Sequence, residues 1–354
     1  MWWLTPCPGY YIGVSHFLIV SLVAEANQFC VALDRRVAEA RAQAWSKATW
    51  KTKASQWKRY IGFCTLAESK ALPTDVTTMA RYAVFLSDDV RFATIDNYVS
   101  GVLSLNRYCG YDVAHIRQDF SFIATMTGLR RILGDPEAIR VTLSVENILS
   151  MFFGVDIMDS NEKVMWTCLV TSFRSLLRKS NLVPDKGSDR EGHFLRRKSV
   201  RFYNWGVMLH ISSSKTIQYG QRTHLVPVTY SPGSPLCAAT LLWQHFRDTP
   251  ADGDSPAFLL RRGSRTTPLT YGILLKFLKR LLRIAGIDTN RAGVHSLRRA
   301  GAAFLHQCGI PLEDIRQTGD WSSLAALLYL AKPMNARIAL DTVVSNALES
   351  RSDL

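Results

Sequence analysis

The segment from Val294 to Leu330 constrains the fold more than any other part of the chain. Within it, His295 and Arg298 lie three residues apart in a helical pattern of small and apolar residues. That spacing places both side chains on one face of a helix. Gly309 predicts the end of this helix, and Pro311 predicts the start of the next one.

The end of the same segment adds further chemistry. A turn that contains Trp321 leads into an apolar helix from Leu324 to Leu330, in which Tyr329 supplies the one hydroxyl group. Arginine binds phosphate through two parallel hydrogen bonds, and tyrosine can act as a covalent nucleophile. Each of these residues alone is more typical of an ordinary basic helix or an apolar core. A phosphate site is therefore predicted only if the rest of the chain supplies the missing groups.

The charge of the chain indicates a polyanionic partner. Lys and Arg number 43 against 29 Asp and Glu, which gives a net charge of +14 over 354 residues. This length predicts two domains, and the basic balance favours nucleic acid as the partner. An anionic membrane surface is the alternative. It is disfavoured because the basic residues are spread over several predicted elements and do not form one block beside an apolar segment.

The seven cysteines favour neither disulfides nor a zinc site, because they are scattered, odd in number and free of CxxC pairs. We therefore expect a reduced, intracellular protein with no metal site. Residues 1–33 predict a leader of unknown role. Their apolar stretch, Tyr10 to Ala24, is too short to span a bilayer and lacks the basic start of a signal peptide.

Residues 34–110 predict a compact helical domain. Aromatic residues recur at helical spacing, which indicates a helix face that packs into a core. They are Trp50, Trp57, Tyr60 and Phe63. Basic residues interleave with them and are the expected DNA-binding set. They are Lys51, Lys53, Lys58 and Arg59. A solvated face and contact with a DNA backbone both explain this charge, and the segment alone does not decide between them.

Residues 111–136 predict a linker, and residues 137–346 predict the second domain, followed by a tail at 347–354. An apolar helix from Glu162 to Leu177 is expected to be buried, and it ends at Arg178. A buried arginine is costly unless it has a partner. Arg178 therefore either meets an acidic group or points into an anion site, and both interpretations stay open.

The one clear β region is expected between Val200 and Val228. Apolar residues alternate there with polar ones, which predicts strands. The connection between the last two strands places Lys215 at a hairpin tip, and Pro227 favours an edge position for the last strand. A lysine at a hairpin tip either adds solubility or acts as a general acid in a DNA groove. Further helices are expected over 235–247 and 266–286.

Taken in order, six residues form a constellation whose members are Arg178, Lys215, His295, Arg298, Trp321 and Tyr329. The chain resembles the tyrosine recombinase, or phage integrase-like, family over about residues 40 to 345. LRKSNL is similar to the first arginine motif of that family, SKT to its lysine motif and HSLRRAGA to its HxxR motif, and GDWSSLAALLYL is similar to its closing segment. The residues of these motifs most resemble those of the recombinases carried by eukaryotic Crypton transposons.

The resemblance implies a mainly α fold, with a helical core-binding domain and a mixed α+β catalytic domain that contains a small antiparallel sheet. It implies that Tyr329 attacks a phosphate of double-stranded DNA and leaves a 3′-phosphotyrosyl link. Arg178 and Arg298 would bind the nonbridging oxygens, Lys215 would protonate the leaving oxygen, and His295 would assist proton transfer. No metal or cofactor is expected. A tetramer on two DNA sites and a nuclear location follow from the same resemblance.

Two departures from the family pattern stand out. Many relatives carry an acidic residue at the position of Asn181, and many carry a second histidine at the position of Trp321, whose indole can donate a hydrogen bond but cannot act as acid or base. Arg174 is a rival for the role of Arg178, and Arg299 is a rival for that of the neighbouring Arg298. Two other functions stay open: a catalytically silent DNA-binding derivative and a type IB topoisomerase-like enzyme.

Overall fold

The computed structural model describes residues 16–134, 143–185, 193–214, 216–217, 219–290, 292–321 and 342, with side chains of the first helix described from residue 29 onward. The chain divides into two compact units, Met1–Glu137 and Ala138–Leu354. Each unit has its own hydrophobic core. No helix in the described part of the chain is both long and apolar enough to cross a membrane.

The first unit is helical. Its elements are α1 (His16–Ala42), α2 (Lys47–Leu66), α3 (Val76–Ser87), α4 (Phe92–Tyr108), a 3-10 turn (Ala114–Arg117) and α5 (Phe120–Leu133). Side chains of Ser46 and Asp75 cap α2 and α3 by accepting hydrogen bonds from backbone N–H groups. The expected aromatic face of α2 is confirmed, because Tyr60 and Phe63 are buried and Trp57 packs against them.

Residues 111–133 belong to this helical unit, where the sequence predicted a linker over 111–136. The 3-10 turn and α5 bury Ile116, Phe122, Met126 and Leu129 in the core of the first unit. Asp119 caps α5 through hydrogen bonds from two backbone N–H groups. The expected boundary after residue 33 also differs from the structure, because α1 continues through it to Ala42.

The second unit combines helices with small antiparallel sheets, as expected. Its helices are α6 (Val145–Phe152), α7 (Ser160–Ser175), α8 (Lys179–Leu182), α9 (Ala238–Asp248), α10 (Tyr271–Ile284), α11 (Val294–Gln307) and α12 (Leu312–Gly319). Its strands are β1 (Val200–Tyr203), β2 (Gly206–Ile211), β3 (His224–Thr229), β4 (Leu259–Arg262) and β5 (Arg265–Pro268). The expected tail at 347–354 lies outside the described residues.

The sheet of β1, β2 and β3 has the predicted hairpin between its last two strands. Leu209 pairs with Val226, and both side chains face the core. The strand order β1-β2-β3 places β3 at an edge, so Pro227 removes no ladder hydrogen bond from an inner strand.

A second hairpin, formed by β4 and β5, was not predicted. Residues 265–268 form β5, so the helix expected from Thr266 begins later, at Tyr271. The turn between the strands places Gly263 at a φ of +61°, a conformation that glycine adopts without a steric penalty. The two leucines of β4 are buried, and their burial stabilises a hairpin whose own sequence predicts strands only weakly.

Helix α7 lies at the centre of the second unit and positions the elements of the site. It is buried on most of its surface, and Trp166 fixes it by donating from Nε1 to the Pro235 carbonyl at 3.0 Å. It ends at Leu176, which takes a left-handed conformation with φ of 53°. Gly301 of α11 meets it so closely that a Cβ there would lie 2.1 Å from the Phe173 carbonyl oxygen.

Candidate functional site

The close crossing of α7 and α11 places Arg298 inside the protein. Its side chain is 2% exposed. Nη1 donates to the Leu176 carbonyl, and Nη2 donates to the Gly319 carbonyl at 2.5 Å. The guanidinium group lies 4.0 Å from the centre of the Trp321 ring, which is a cation–π contact. Arg298 therefore joins the end of α7, the end of α12 and the predicted tryptophan.

Arg178 contacts the same turn from the start of α8. It follows the left-handed turn at Leu176 and forms the N-cap of α8. Its half-buried side chain donates from Nη2 to the Asp320 carbonyl at 3.4 Å. Two arginines far apart in sequence therefore bind adjacent carbonyls of the turn at residues 319–321, and we call this segment the arginine turn.

The rival arginines have other surroundings. Arg174 is half-buried in the last turn of α7. Arg299 is buried and donates from Nη2 to Ser296 Oγ, on its own helix, at 3.3 Å. The geometry therefore favours Arg178 and Arg298 over their neighbours as the pair that meets at the arginine turn.

His295 occupies the first turn of α11 and is exposed. It lies three residues before Arg298, as the HxxR spacing requires. The His295 ring is therefore accessible to solvent at the start of α11. Lys215 and Tyr329, the predicted general acid and nucleophile, lie outside the described residues.

The segment between β2 and β3 is attached to the arginine turn. The Asp320 carboxylate accepts hydrogen bonds from Ser214 Oγ at 3.2 Å, from Thr216 Oγ1 and from Arg222 Nη2. Burial on its own would raise the pKa of Asp320, but the Thr216 and Arg222 hydrogen bonds and the nearby positive charge of Arg222 outweigh burial and lower it. The carboxylate is therefore held in its charged form.

A second contact joins β3 to α12. His224 donates from Nε2 to the Thr318 carbonyl at 3.0 Å. The sequence predicts a turn that contains Trp321, but it does not predict the contacts of Asp320, Arg222 or His224. The available signal was an aspartate directly after Gly319, since aspartate tolerates the left-handed conformation observed at Asp320, with φ of 52°.

Asn181 explains one departure from the family pattern. Its side chain is 2% exposed and donates from Nδ2 to the Ser213 carbonyl at 3.0 Å and to the His193 carbonyl at 3.4 Å. A carboxylate cannot donate to these two carbonyls. The amide therefore connects α8 to the start of the connection between β2 and β3, residues 212–223, which we call the lysine segment.

The predicted DNA-binding residues of α2 have different surroundings. Lys51 and Lys58 are exposed. Lys53 lies 4.4 Å from the centre of the Trp45 ring, and burial together with the charge of Arg107 lowers the pKa of Lys53. Arg59 forms an ion pair with Asp89 at 2.5 Å. Lys51 and Lys58 are thus the members of this set best placed to meet an external polyanion.

Known proteins share this fold and part of this sequence. No family model matches the chain. An integrase/recombinase XerD homolog of Selenomonas ruminantium is 25% identical over 291 residues, which cover 80% of this chain and 81% of that protein. The chain is therefore similar to a protein of the integrase/recombinase type over most of both lengths.

Solved integrase structures superpose on this chain. The Tn1549 transposon integrase in complex with circular intermediate DNA has a TM-score of 0.56 at 16% identity, covering 86% of this chain and 97% of that one. A lambda integrase dimer bound to a core site has a TM-score of 0.53 at 15% identity, covering 84% of this chain and 93% of that one. The chain thus shares its fold with these two integrases.

Proposed function

We propose that this chain is a site-specific DNA recombinase of the transposon type that cuts and rejoins DNA through a 3′-phosphotyrosyl intermediate. One observation carries the proposal: Arg178 and Arg298 meet at one turn, beside Trp321. The segment that contains Lys215 is attached to that same turn through Asp320. Two guanidinium groups at one point suit an anion with several oxygens.

In the proposed reaction, the Tyr329 hydroxyl attacks a phosphorus atom and the bond from phosphorus to the 5′-oxygen breaks. The tyrosine proton leaves with the assistance of His295, and Lys215 gives a proton to the departing oxygen. Arg178 and Arg298 stabilise the charge that builds on the nonbridging oxygens. A 5′-hydroxyl from a partner strand then attacks the phosphotyrosine, so rejoining needs no external source of energy.

The proposed partner is double-stranded DNA, and the net charge of +14 supports it. The Tn1549 integrase and the lambda integrase, which this chain resembles in fold, are both described in complex with DNA. A tetramer on two sites, a Crypton-like origin and a nuclear location belong to the proposal as well. Size measurement of the DNA complex and imaging of a tagged chain test the assembly and the location.

The first experiment is a covalent-adduct assay with a nicked suicide substrate of a cognate site, run in EDTA because no proposed step uses a metal. Wild-type protein should form a DNA–protein adduct, whereas Tyr329→Phe should form none and keep its DNA affinity. Tyr111→Phe, which removes an exposed hydroxyl of the first unit, is the matched control and should behave as wild type. Absence of an adduct from wild-type protein would indicate a silent DNA-binding derivative.

A second assay separates the recombinase from a topoisomerase. Exchange of strands between two labelled duplexes is expected of a recombinase, while relaxation of supercoils without exchange would indicate the type IB topoisomerase-like function. Lys215→Ala should slow cleavage by about 10²–10⁴-fold, the contribution of a general acid. A substrate with sulfur at the bridging 5′ position needs no proton to leave, so it should restore cleavage by this variant.

A further inference from the structure

The Asp320 carboxylate lies in a turn and accepts three hydrogen bonds from another part of the chain. Its side chain is 10% exposed, and it accepts from two hydroxyl groups and one guanidinium group. Hydrogen bonds that involve an ionised partner are roughly twice as strong as neutral ones. The donors, Ser214, Thr216 and Arg222, all come from the segment between β2 and β3.

The backbone at Gly319 and Asp320 contacts the two arginines of the proposed site. The Asp320 carbonyl accepts from Arg178, and the preceding carbonyl of Gly319 accepts from Arg298. One residue thus contacts the proposed phosphate-binding arginine through its backbone and the lysine segment through its side chain. Lys215 lies in sequence between the two hydroxyl donors, Ser214 and Thr216.

We propose that Asp320 is a positioning residue: through Ser214 and Thr216, the sequence neighbours of Lys215, it fixes the segment that carries the proposed general acid to the turn that binds the two arginines. The inference rests on the proposed function and deepens it. A proton donor acts only when it is within hydrogen-bond reach of the leaving oxygen, so the segment that carries it must be fixed relative to the bound phosphate. Asp320 supplies that fixed relation through its contacts within the protein.

The contacts differ from those of a simple surface ion pair. An ion pair between Arg222 and Asp320 needs no contribution from Ser214 or Thr216, yet both hydroxyl groups point to the same carboxylate oxygen. Ser214 Oγ also accepts from the backbone N–H groups of Thr216 and Ile217, each at 3.2 Å. The carboxylate therefore fixes a small folded segment on both sides of Lys215.

The test uses Asp320→Asn, which keeps the size of the side chain and its tolerance of the left-handed conformation but removes the charge. Asp314→Asn is the matched control, because Asp314 is an exposed aspartate of α12, the helix that Asp320 follows. Both variants are compared with wild type on two suicide substrates, one with oxygen and one with sulfur at the bridging 5′ position.

Asp320→Asn should slow cleavage of the oxygen substrate by at least about 10-fold, part of the ~10²–10⁴-fold that a general acid contributes. The sulfur substrate should restore most of the rate, because it leaves without a proton. Asp314→Asn should cleave both substrates at the wild-type rate. An equal loss on both substrates would overturn the inference, since it would mean that Asp320 acts only on folding or on the arginines.

A measurement without catalysis keeps this inference separate from the proposed function. Hydrogen exchange at Thr216 and Ile217, followed by mass spectrometry, should be faster in Asp320→Asn than in Asp314→Asn. Unchanged exchange would overturn the positioning role even in an active enzyme. If wild-type protein forms no adduct while exchange is faster in Asp320→Asn, the proposed function fails and the attachment of the segment by Asp320 stands.

Discussion

Replacing Gly301 with alanine should damage both the packing of the second unit and the proposed reaction. An added Cβ would lie 2.1 Å from the Phe173 carbonyl oxygen and 2.5 Å from a methyl group of Leu176. Ordinary van der Waals contact at a Cβ begins at 3.4 Å, so α7 and α11 must separate by about 1.3 Å. The obstacle is a helix carbonyl, which cannot rotate away as the end of a flexible side chain can.

The size of the effect follows from this geometry. Overpacking of a core costs about 1–3 kcal/mol of unfolding free energy. Arg298 lies one helical turn before Gly301 and donates to the Leu176 carbonyl across the same crossing, so the separation strains this hydrogen bond. A displacement of about 1 Å in a group that positions the substrate costs about 10²-fold in rate. We expect both losses in the Gly301→Ala variant.

Denaturant unfolding measures the first loss, and single-turnover adduct formation measures the second. Gly272→Ala is the matched control, because Gly272 lies in α10 of the same unit and an added Cβ there meets no atom within 4 Å. This control should be as stable as wild type or slightly more so. If Gly301→Ala unfolds at the same denaturant concentration as Gly272→Ala, the close crossing does not constrain the fold and the reasoning fails.

Three other perturbations test separate parts of the structure. Burial, with a smaller effect of the Arg197 charge, lowers the pKa of His245 to about 3, so between pH 7 and 5 the residue gains a proton in the unfolded chain only. This difference should lower the free energy of unfolding by about 2 kcal/mol between pH 7 and 5. In acid denaturation, His245→Gln should not show this loss. Asn181→Asp should destabilise the protein by about 1–3 kcal/mol in denaturant unfolding, because a carboxylate would face the Ser213 and His193 carbonyls without a hydrogen to donate. Binding to duplex DNA should weaken steeply as salt is raised, and a log–log slope near zero would argue against phosphate contacts as the main source of affinity.

Where the sequence carried both a period and a capping signal, its prediction of local structure was accurate. Gly309 follows the end of α11 as predicted, with a φ of +80°, and Ser144 caps α6 through a hydrogen bond from the Asn147 N–H group. The alternation in β2 and β3 predicted their pairing, because each strand buries one face. These signals are local, so a single sequence contains them in full.

The predictions that differed from the structure depend on contacts between distant residues. The sequence predicts a linker over residues 111–136 because a short helix ends at Gly128 to Arg131 and Gly134-Asp135-Pro136 breaks the chain, yet the buried side chains of α5 hold it against α3. The β4–β5 hairpin is short and contains several arginines, and the burial of Leu259 and Leu260 stabilises it. Tertiary packing overrides a weak local preference in both cases.

The site also redistributes its charges relative to the family pattern. An acidic residue is expected near Arg178, but Asn181 is there because two backbone carbonyls need donors. The buried carboxylate comes instead from Asp320, which follows the second arginine's carbonyl partner in the chain. Arg178, Arg222 and Arg298 place three positive charges near one turn, and a negative charge among them reduces their mutual repulsion. Asp320 supplies that charge: its carboxylate accepts from Arg222, Ser214 and Thr216, while the backbone carbonyls of Asp320 and Gly319 accept from Arg178 and Arg298.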